Sequence, residues 1–323
     1  MKASLYNPFE NLDFNYQNCF LTGRELERDN NRIQVFPEWI MKRYELHETP
    51  FTMLAENKVN YEALILPVSK IAFDAINFLE NEIETAFTKG YEEVKNLEEI
   101  KIFQWLTLRV YGILYNDLAY AYSKNIDNGK QYKLSSYYTG RIKNLHALLQ
   151  SILIPMEMKT KMWSIVVEKV KYSKDIFNYK DETKNLNASL AMNDFGIIAC
   201  LQDNGHNLKF NETIVNNLSG INMHPIQFEE LWCRFLYSNY LLHNSTEFKF
   251  ENENEKIIVS NDNNEFEFGE WDDKMFSQVL ANYWKPWGIT TQEIYQYPGT
   301  TITYLIDELT NKIVDPETIS LPW

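Results

Sequence analysis

The stretch 97–123 constrains this chain most, because it is apolar on every side. Ile102, Phe103, Trp105, Leu106, Leu108, Val110, Tyr111, Ile113, Leu114 and Leu118 cover the whole circumference of a helix. Such a helix has no face for water, so it predicts a core built around it. The segment that begins at Ser69 differs. Ala72, Ala75, Ile76, Leu79, Ile83, Ala86 and Phe87 recur at helical spacing opposite Glu80, Glu82 and Glu84, and the pattern stops at Gly90. That spacing predicts an amphipathic helix with its carboxylates in solvent.

Residues 7–67 show little helical periodicity and much punctuation, as at Asn7-Pro8, Thr22-Gly23 and Thr49-Pro50, so short strands and loops are expected there. One short helix is expected over 38–44, begun by Pro37. A third long helix should span 139–154 and stop at Pro155. Beyond it the chain turns toward β-structure. Residues 163–170 are rich in β-branched side chains, and 186–192 and 196–201 flank Asn193-Asp194, a natural reversal for two antiparallel strands. Residues 248–250, 256–259 and 265–268 read as a second meander. Helices return over 225–242 and 272–283, where Asp272 reads as a cap and Trp271 and Met275 as a staple across it. The fold class is α+β: an N-terminal module (1–96), a helical segment packing on it (97–187), and a C-terminal domain (188–323) of antiparallel sheet with helices.

The formal net charge of −14 disfavours non-specific binding to nucleic acid or to an anionic membrane. The charge is unevenly placed: residues 1–100 carry −8, residues 101–187 carry +7 and residues 188–323 carry −13. Only the middle segment could attract an anion, through Lys124, Lys130, Lys133, Arg141, Lys143, Lys159, Lys161, Lys169 and Lys171 with Tyr132, Tyr137 and Tyr138 between them. Such a run usually solvates helix faces. Cys19, Cys200 and Cys233 are distant and form no C-x-x-C pair, so buried thiols are expected rather than a disulfide framework. No leader-like or membrane-spanning run is present, and a soluble cytoplasmic protein is the expectation.

Three short segments carry a resemblance. Cys19-Phe20-Leu21-Thr22-Gly23 stands where a C-x-x-C-G knuckle would. Gln34-Val35-Phe36-Pro37-Glu38-Trp39-Ile40 matches a V-F-P-x-W-like run. Leu66-Pro67-Val68-Ser69-Lys70-Ile71-Ala72 leads into Leu79-Glu80, as a second knuckle leads into a helix. Trp105 and Tyr111-Gly112-Ile113-Leu114-Tyr115 look like the W-x-x-K-x-x-Y-G continuation. In this order the segments resemble HNH-type, treble-clef nuclease modules over roughly a third of the chain. The resemblance implies a zinc-knuckle fold and nuclease ancestry, but its ligands are missing. A structural zinc needs four N or S donors. Of the knuckle positions only Cys19 is kept; Thr22 replaces the second cysteine, and Val68, Ser69, Ile71 and Ala72 fill the second knuckle. The histidine that would activate water falls at Gln34, whose amide is no base, and the asparagine position falls at Phe73 or a neighbour. The expectation is a clef without metal, with Val68, Ile71, Ala72 and Phe73 as an apolar plug.

Other constellations are sparse. Asp203-Asn204-Gly205-His206 either rings a ligand or forms a turn capping its own backbone. His224-Pro225 reads as a helix entry or a base. Glu229-Glu230 are adjacent and diverge on a helix by about 100°. Aromatic residues crowd the C-terminal half, either as core or as partly exposed surface, the surface alternative falling around Tyr283, Trp284 and Trp287. The reading is a non-catalytic, HNH-derived binding or scaffolding protein, without metal or cofactor, whose partner is a protein rather than nucleic acid or membrane. The alternatives are an enzyme using Asp203, His206 and His224 against Trp284 and Trp287, and nucleic-acid binding through residues 101–187.

Overall fold

The structure, a computed structural model, describes residues 4–10, 14–26, 31–53, 58–127, 135–172, 174–244, 248–261, 266–296, 299–307, 310 and 312–322. The chain is mixed α and β with antiparallel sheets. In chain order its elements begin with β1 (Asn31–Gln34), α1 (Glu38–Arg43), β2 (Pro50–Thr52), β3 (Lys58–Asn60), β4 (Ile65–Val68), α2 (Lys70–Lys89), α3 (Tyr91–Lys95), α4 (Glu99–Asp127) and α5 (Ser136–Leu149). They continue with β5 (Met156–Met158), β6 (Ser164–Lys169), β7 (Phe177–Glu182), β8 (Asn187–Met192), β9 (Phe195–Cys200), α6 (His206–Phe210), α7 (Glu212–Asn217), α8 (Pro225–Leu241), β10 (Leu242–Asn244), β11 (Lys249–Glu253), β12 (Lys256–Ser260), β13 (Phe266–Phe268) and α9 (Asp273–Tyr283). Among the described residues no helix is long and apolar enough to cross a membrane.

The chain divides into two compact units that alternate along the sequence. The first holds residues 1–86, 97–160 and 246–262; the second holds 87–96, 161–245 and 263–323. This differs from three consecutive segments bounded at 96 and 187, because the hairpin of β11 and β12 belongs with the first unit and β6 and β7 with the second.

In the first unit α4 is buried around its circumference, with Phe103, Trp105, Leu106, Leu108, Val110, Tyr111 and Tyr115 fully enclosed. β1 and β4 form an antiparallel pair, from Asn31 opposite Val68 to Gln34 opposite Ile65. Gly112 on α4 allows a close approach to this pair, since a Cβ there would lie 2.8 Å from Val35 Cγ2 and 3.2 Å from Leu66 Cδ1. α2 buries Ala72, Ile76, Leu79, Ile83 and Ala86. Glu80, expected in solvent, instead takes an ion pair from Arg109, which is itself fully buried on α4 and also donates to the Val35 carbonyl. The Trp105 indole completes this node, donating to Glu80 Oε2 at 2.9 Å while the guanidinium lies 4.5 Å over a Trp105 ring. A buried cation needs its carboxylate close by, and that need overrides the amphipathic pattern. The second meander also differs from expectation. β11 pairs with β12, and β12 pairs in parallel with β5, whereas β13 pairs with β10 in a separate ribbon. Sequence alternation marks a strand but does not choose its neighbour.

In the second unit β6, β9, β8 and β7 form an antiparallel sheet in that order. The reversal between β8 and β9 pairs Met192 with Phe195, and Asn193 adopts a left-handed φ of 53°. β8 and β9 are buried along their whole length, so neither face reads as polar. The core sets Val166, Ala191 and Ile198 against Phe228, Leu231, Trp232 and Phe235 of α8 and Phe276, Leu280 and Trp284 from α9 and its end. Asp272 caps α9, accepting from the backbone N–H groups of Lys274 at 2.8 Å and Met275 at 3.0 Å. The staple closes one residue later than expected: Trp271 packs on Phe276 with centroids 4.6 Å apart, and Met275 is exposed. The residue before a cap meets the fourth helical position, and Met275 is the third.

Candidate functional site

At the knuckle positions the chain makes a tight turn. Gly23 N–H donates to the Cys19 carbonyl and Cys19 N–H to the Arg24 carbonyl, both at 2.8 Å, with Gly23 at φ 67°. Phe20 N–H donates to the Pro67 carbonyl at 2.9 Å, which sets the turn beside β4, the strand that ends at Val68. Cys19, Leu21, Val68 and Ala72 are buried. Thr22 is half-buried, its hydroxyl accepting from Arg24 N–H at 3.4 Å. Ser69 precedes α2, its carbonyl accepting from Phe73 N–H and its hydroxyl from Ala72 N–H. Gln34 is half-buried at the end of β1. The expected plug is only partly formed. Val68 and Ala72 belong to it, but Phe73 is half-buried and Ile71 is 58% exposed. On a helix that turns Ala72 and Ile76 inward, position 71 faces out.

What holds this turn in place comes from α5. His146 is buried, with Nε2 donating to the Phe20 carbonyl at 2.8 Å and Nδ1 accepting from Gln150 Nε2 at 3.3 Å. Only a neutral imidazole protonated on Nε2 serves both bonds. Burial pushes its pKa down to about 4, against the pull of its carbonyl partners. Gln150 also clasps Tyr6, accepting from its N–H at 2.9 Å and donating to its carbonyl at 2.8 Å. Phe20 stacks on Tyr111 with centroids 6.1 Å apart, and the Tyr115 hydroxyl donates to the Asn15 carbonyl. No motif in the sequence marked His146, and its i+4 spacing to Gln150 was the available signal. Among the described residues no group of three His, Cys, Asp or Glu side chains is placed to hold a metal ion.

The candidates of the second unit are separated by what each one bonds. Asp203 is fully buried and accepts from Ser164 Oγ at 2.6 Å, Asn207 N at 2.8 Å, Asn207 Nδ2 at 3.0 Å and Gly205 N at 3.2 Å. Burial raises its pKa, opposed by these donors. The network continues from Asn207 to Asn239 at 3.0 Å and from Asn239 to Asn187 at 2.5 Å. It ties β6, α6, α8 and β8 together. His206 stacks on Phe266 with centroids 3.7 Å apart, and burial lowers its pKa. His224 caps α8, Nδ1 accepting from Ile226 N–H at 3.2 Å and Nε2 lying 3.1 Å from the Leu321 carbonyl; burial lowers its pKa as well. Among the described residues no hydrogen bond joins the side chains of Asp203, His206 and His224. Of the two alternatives for these aromatics Trp284 takes the core one: it is fully buried and meets Tyr304 edge-on at 5.3 Å. Trp287 is half-buried and donates to the Pro322 carbonyl at 2.7 Å. Pro286 and Gly288 end a helix here, yet the indole at 284 still points into the core, being the residue that follows α9.

Glu229 and Glu230 diverge as helix geometry requires. Glu229 accepts from Lys180 at 2.5 Å, Asn178 at 2.9 Å and Tyr172 at 3.2 Å. Glu230 instead gathers Thr303, the backbone N–H groups of Tyr304 and Leu305, and Arg234. Burial, then the nearby Glu229 carboxylate, drives the Cys233 thiol well above its ordinary pKa, the reverse of an activated nucleophile.

The exposed rings lie elsewhere in this unit. Phe210 and Phe266 are 44% and 41% exposed, and the ring contacts run from His206 through Phe266, Phe268 and Phe210 to Trp271. The basic stretch 101–187 spends several of its cations within the fold. It is divided between the two units, Arg109 and Arg141 are buried, and Lys159, Lys171 and Lys180 pair with Glu157, Glu317 and Glu229. Lys130, Tyr132 and Lys133 lie outside the described residues. The first unit carries a cleft of about 580 Å³ between β3, the turn into β4 and the C-terminal half of α4. In comparisons with known proteins, no family model, no curated protein and no solved structure matched the chain.

Proposed function

We propose that this chain is a non-catalytic, HNH-derived binding or scaffolding protein whose partner is another protein. The observation that carries the reading is the knuckle turn. A turn at Cys19 to Gly23, an antiparallel pair and the helix α2 follow in the order of a treble clef, and His146 and Gln150 tie the turn where ligand donors would. Hydrogen bonds and ring packing can replace coordination in such a turn, provided the donors stay neutral and buried. The lack of a base at Gln34 removes water activation from the reading. The enzyme alternative is weakened because Asp203, His206 and His224 each satisfy local structure. The ring ladder from His206 to Trp271, exposed at Phe210 and Phe266 and half-buried at its other rings, is the face offered to a protein partner, since exposed aromatic side chains mark such contacts. The experiment is elemental analysis of the purified chain together with cleavage assays on DNA and RNA in Mg²⁺ and Mn²⁺. Less than a tenth of an equivalent of zinc and no cleavage are expected; stoichiometric zinc or turnover overturns the reading.

A further inference from the structure

The cleft of the first unit has a chemistry of its own. Its volume of about 580 Å³ falls inside the range of roughly 300–1,000 Å³ typical of small-molecule sites. Met53, Val59, Leu64 and Ala119 supply apolar wall, and among the described residues no carboxylate lines the cleft. Two tyrosines line it, and each is backed by a cation: the Arg32 guanidinium lies 5.8 Å over Tyr16, and the Lys124 ammonium 5.4 Å over Tyr120. Lys58, exposed on β3, adds a third positive charge at the lining itself. The Tyr16 hydroxyl is held by Asn116 Oδ1 at 3.0 Å, and Asn116 is fixed by the carbonyls of Ile65 at 3.0 Å and Gly112 at 2.8 Å. The polar end of the cleft is therefore oriented before any ligand arrives, which lowers the cost of binding.

We propose that this cleft binds a small amphipathic anion, an apolar body carrying one anionic head, with the body against Met53, Val59 and Leu64 and the head toward Lys58. In a chain of net charge −14, Lys58 and Arg32 beside a lining with no carboxylate among its described residues make a local field that a free anion follows and a cation does not. The inference goes beyond the non-catalytic reading and does not rest on it: zinc or cleavage in the assay above would overturn that reading and leave this one intact.

Calorimetric titration of the full chain with decanoate, 2-naphthyl phosphate and decyltrimethylammonium tests it. At least one anion should saturate a single site, at least tenfold tighter than the cation. Decanoate alone would make the head a carboxylate, naphthyl phosphate alone a phosphate, and either result supports the proposal. Lys58→Glu should weaken the anion at least tenfold, and Ala63→Trp, which fills the cleft from an exposed position, should abolish binding with the circular dichroism spectrum unchanged. If Ala63→Trp fails to fold, Lys58→Glu decides. Equal affinity for the cation, no binding of either anion, or unaltered binding in the Lys58→Glu chain overturns the proposal.

Discussion

Each unit buries a titratable side chain, and acid acts on the two in opposite directions. In the first, His146 must stay neutral to donate to Phe20 and accept from Gln150, and burial pushes its pKa down to about 4. In the second, Glu168 on β6 is buried and its pKa is pushed up to about 7, with Lys95 pulling the other way. Burial penalises charge of either sign. The histidine's contribution is complete above its unfolded value near 6.5 and is lost as pH falls toward 4. The carboxyl behaves inversely: its burial costs most above pH 7, and the cost disappears as pH falls toward 4.5. The lesson is that the direction of acid sensitivity follows from which protonation state the fold encloses, not from net charge.

The largest perturbation of this comparison should come from Arg109→Met. It keeps much of the side-chain volume but takes the guanidinium from the Val35 carbonyl and leaves Glu80 with the Trp105 indole alone of this node, and a loss of roughly 4 kcal/mol is expected. Urea unfolding followed by the fluorine resonance of 5-fluorotryptophan at Trp105 would measure it; a loss under 1 kcal/mol would show that the node contributes little. In the second unit Asp203→Ala strands the donors of Ser164, Asn207 and Gly205 and should cost about 3 kcal/mol, read at Trp232. The acid response sharpens the comparison directly. Between pH 6.5 and 4 the Trp105 transition should weaken by roughly 3 kcal/mol through His146, while the Glu168 contribution strengthens the Trp232 transition from pH 7 toward 4.5. His146→Phe should flatten the first slope and Glu168→Gln the second; slopes that survive both substitutions would remove these groups as the cause. The smallest effect is Asp272→Ala, about 1 kcal/mol from a lost cap, visible as a modest fall in Tm.

Elements set by local pattern were legible in the sequence. The all-round apolar run gave α4, Pro37 gave the start of α1, Asn193-Asp194 gave the β8–β9 reversal, and Asp272 gave the cap of α9. What stayed hidden depends on residues far apart. Glu80 looked solvated because its partner Arg109 is 29 positions away, and no motif marked His146 because its acceptor, Phe20, is 126 positions away. β13 looked like part of a meander because its pairing with β10 leaves no mark on alternation. The candidate residues Asp203 and His224 were legible as turn and helix entry, since their bonds run mainly to the next few residues. Phe210 and Phe266 were missed as a surface because two phenylalanines 56 positions apart look like core.

The close approach at Gly112 binds three positions into one shared space. Val35, Leu66 and the hydrogen at 112 already fill the gap between helix and strands, so a methyl added on one side has to be removed on another. Changes at 35, 66 and 112 should therefore be tolerated as sets, and lineages of this chain should alter them in concert or leave all three alone.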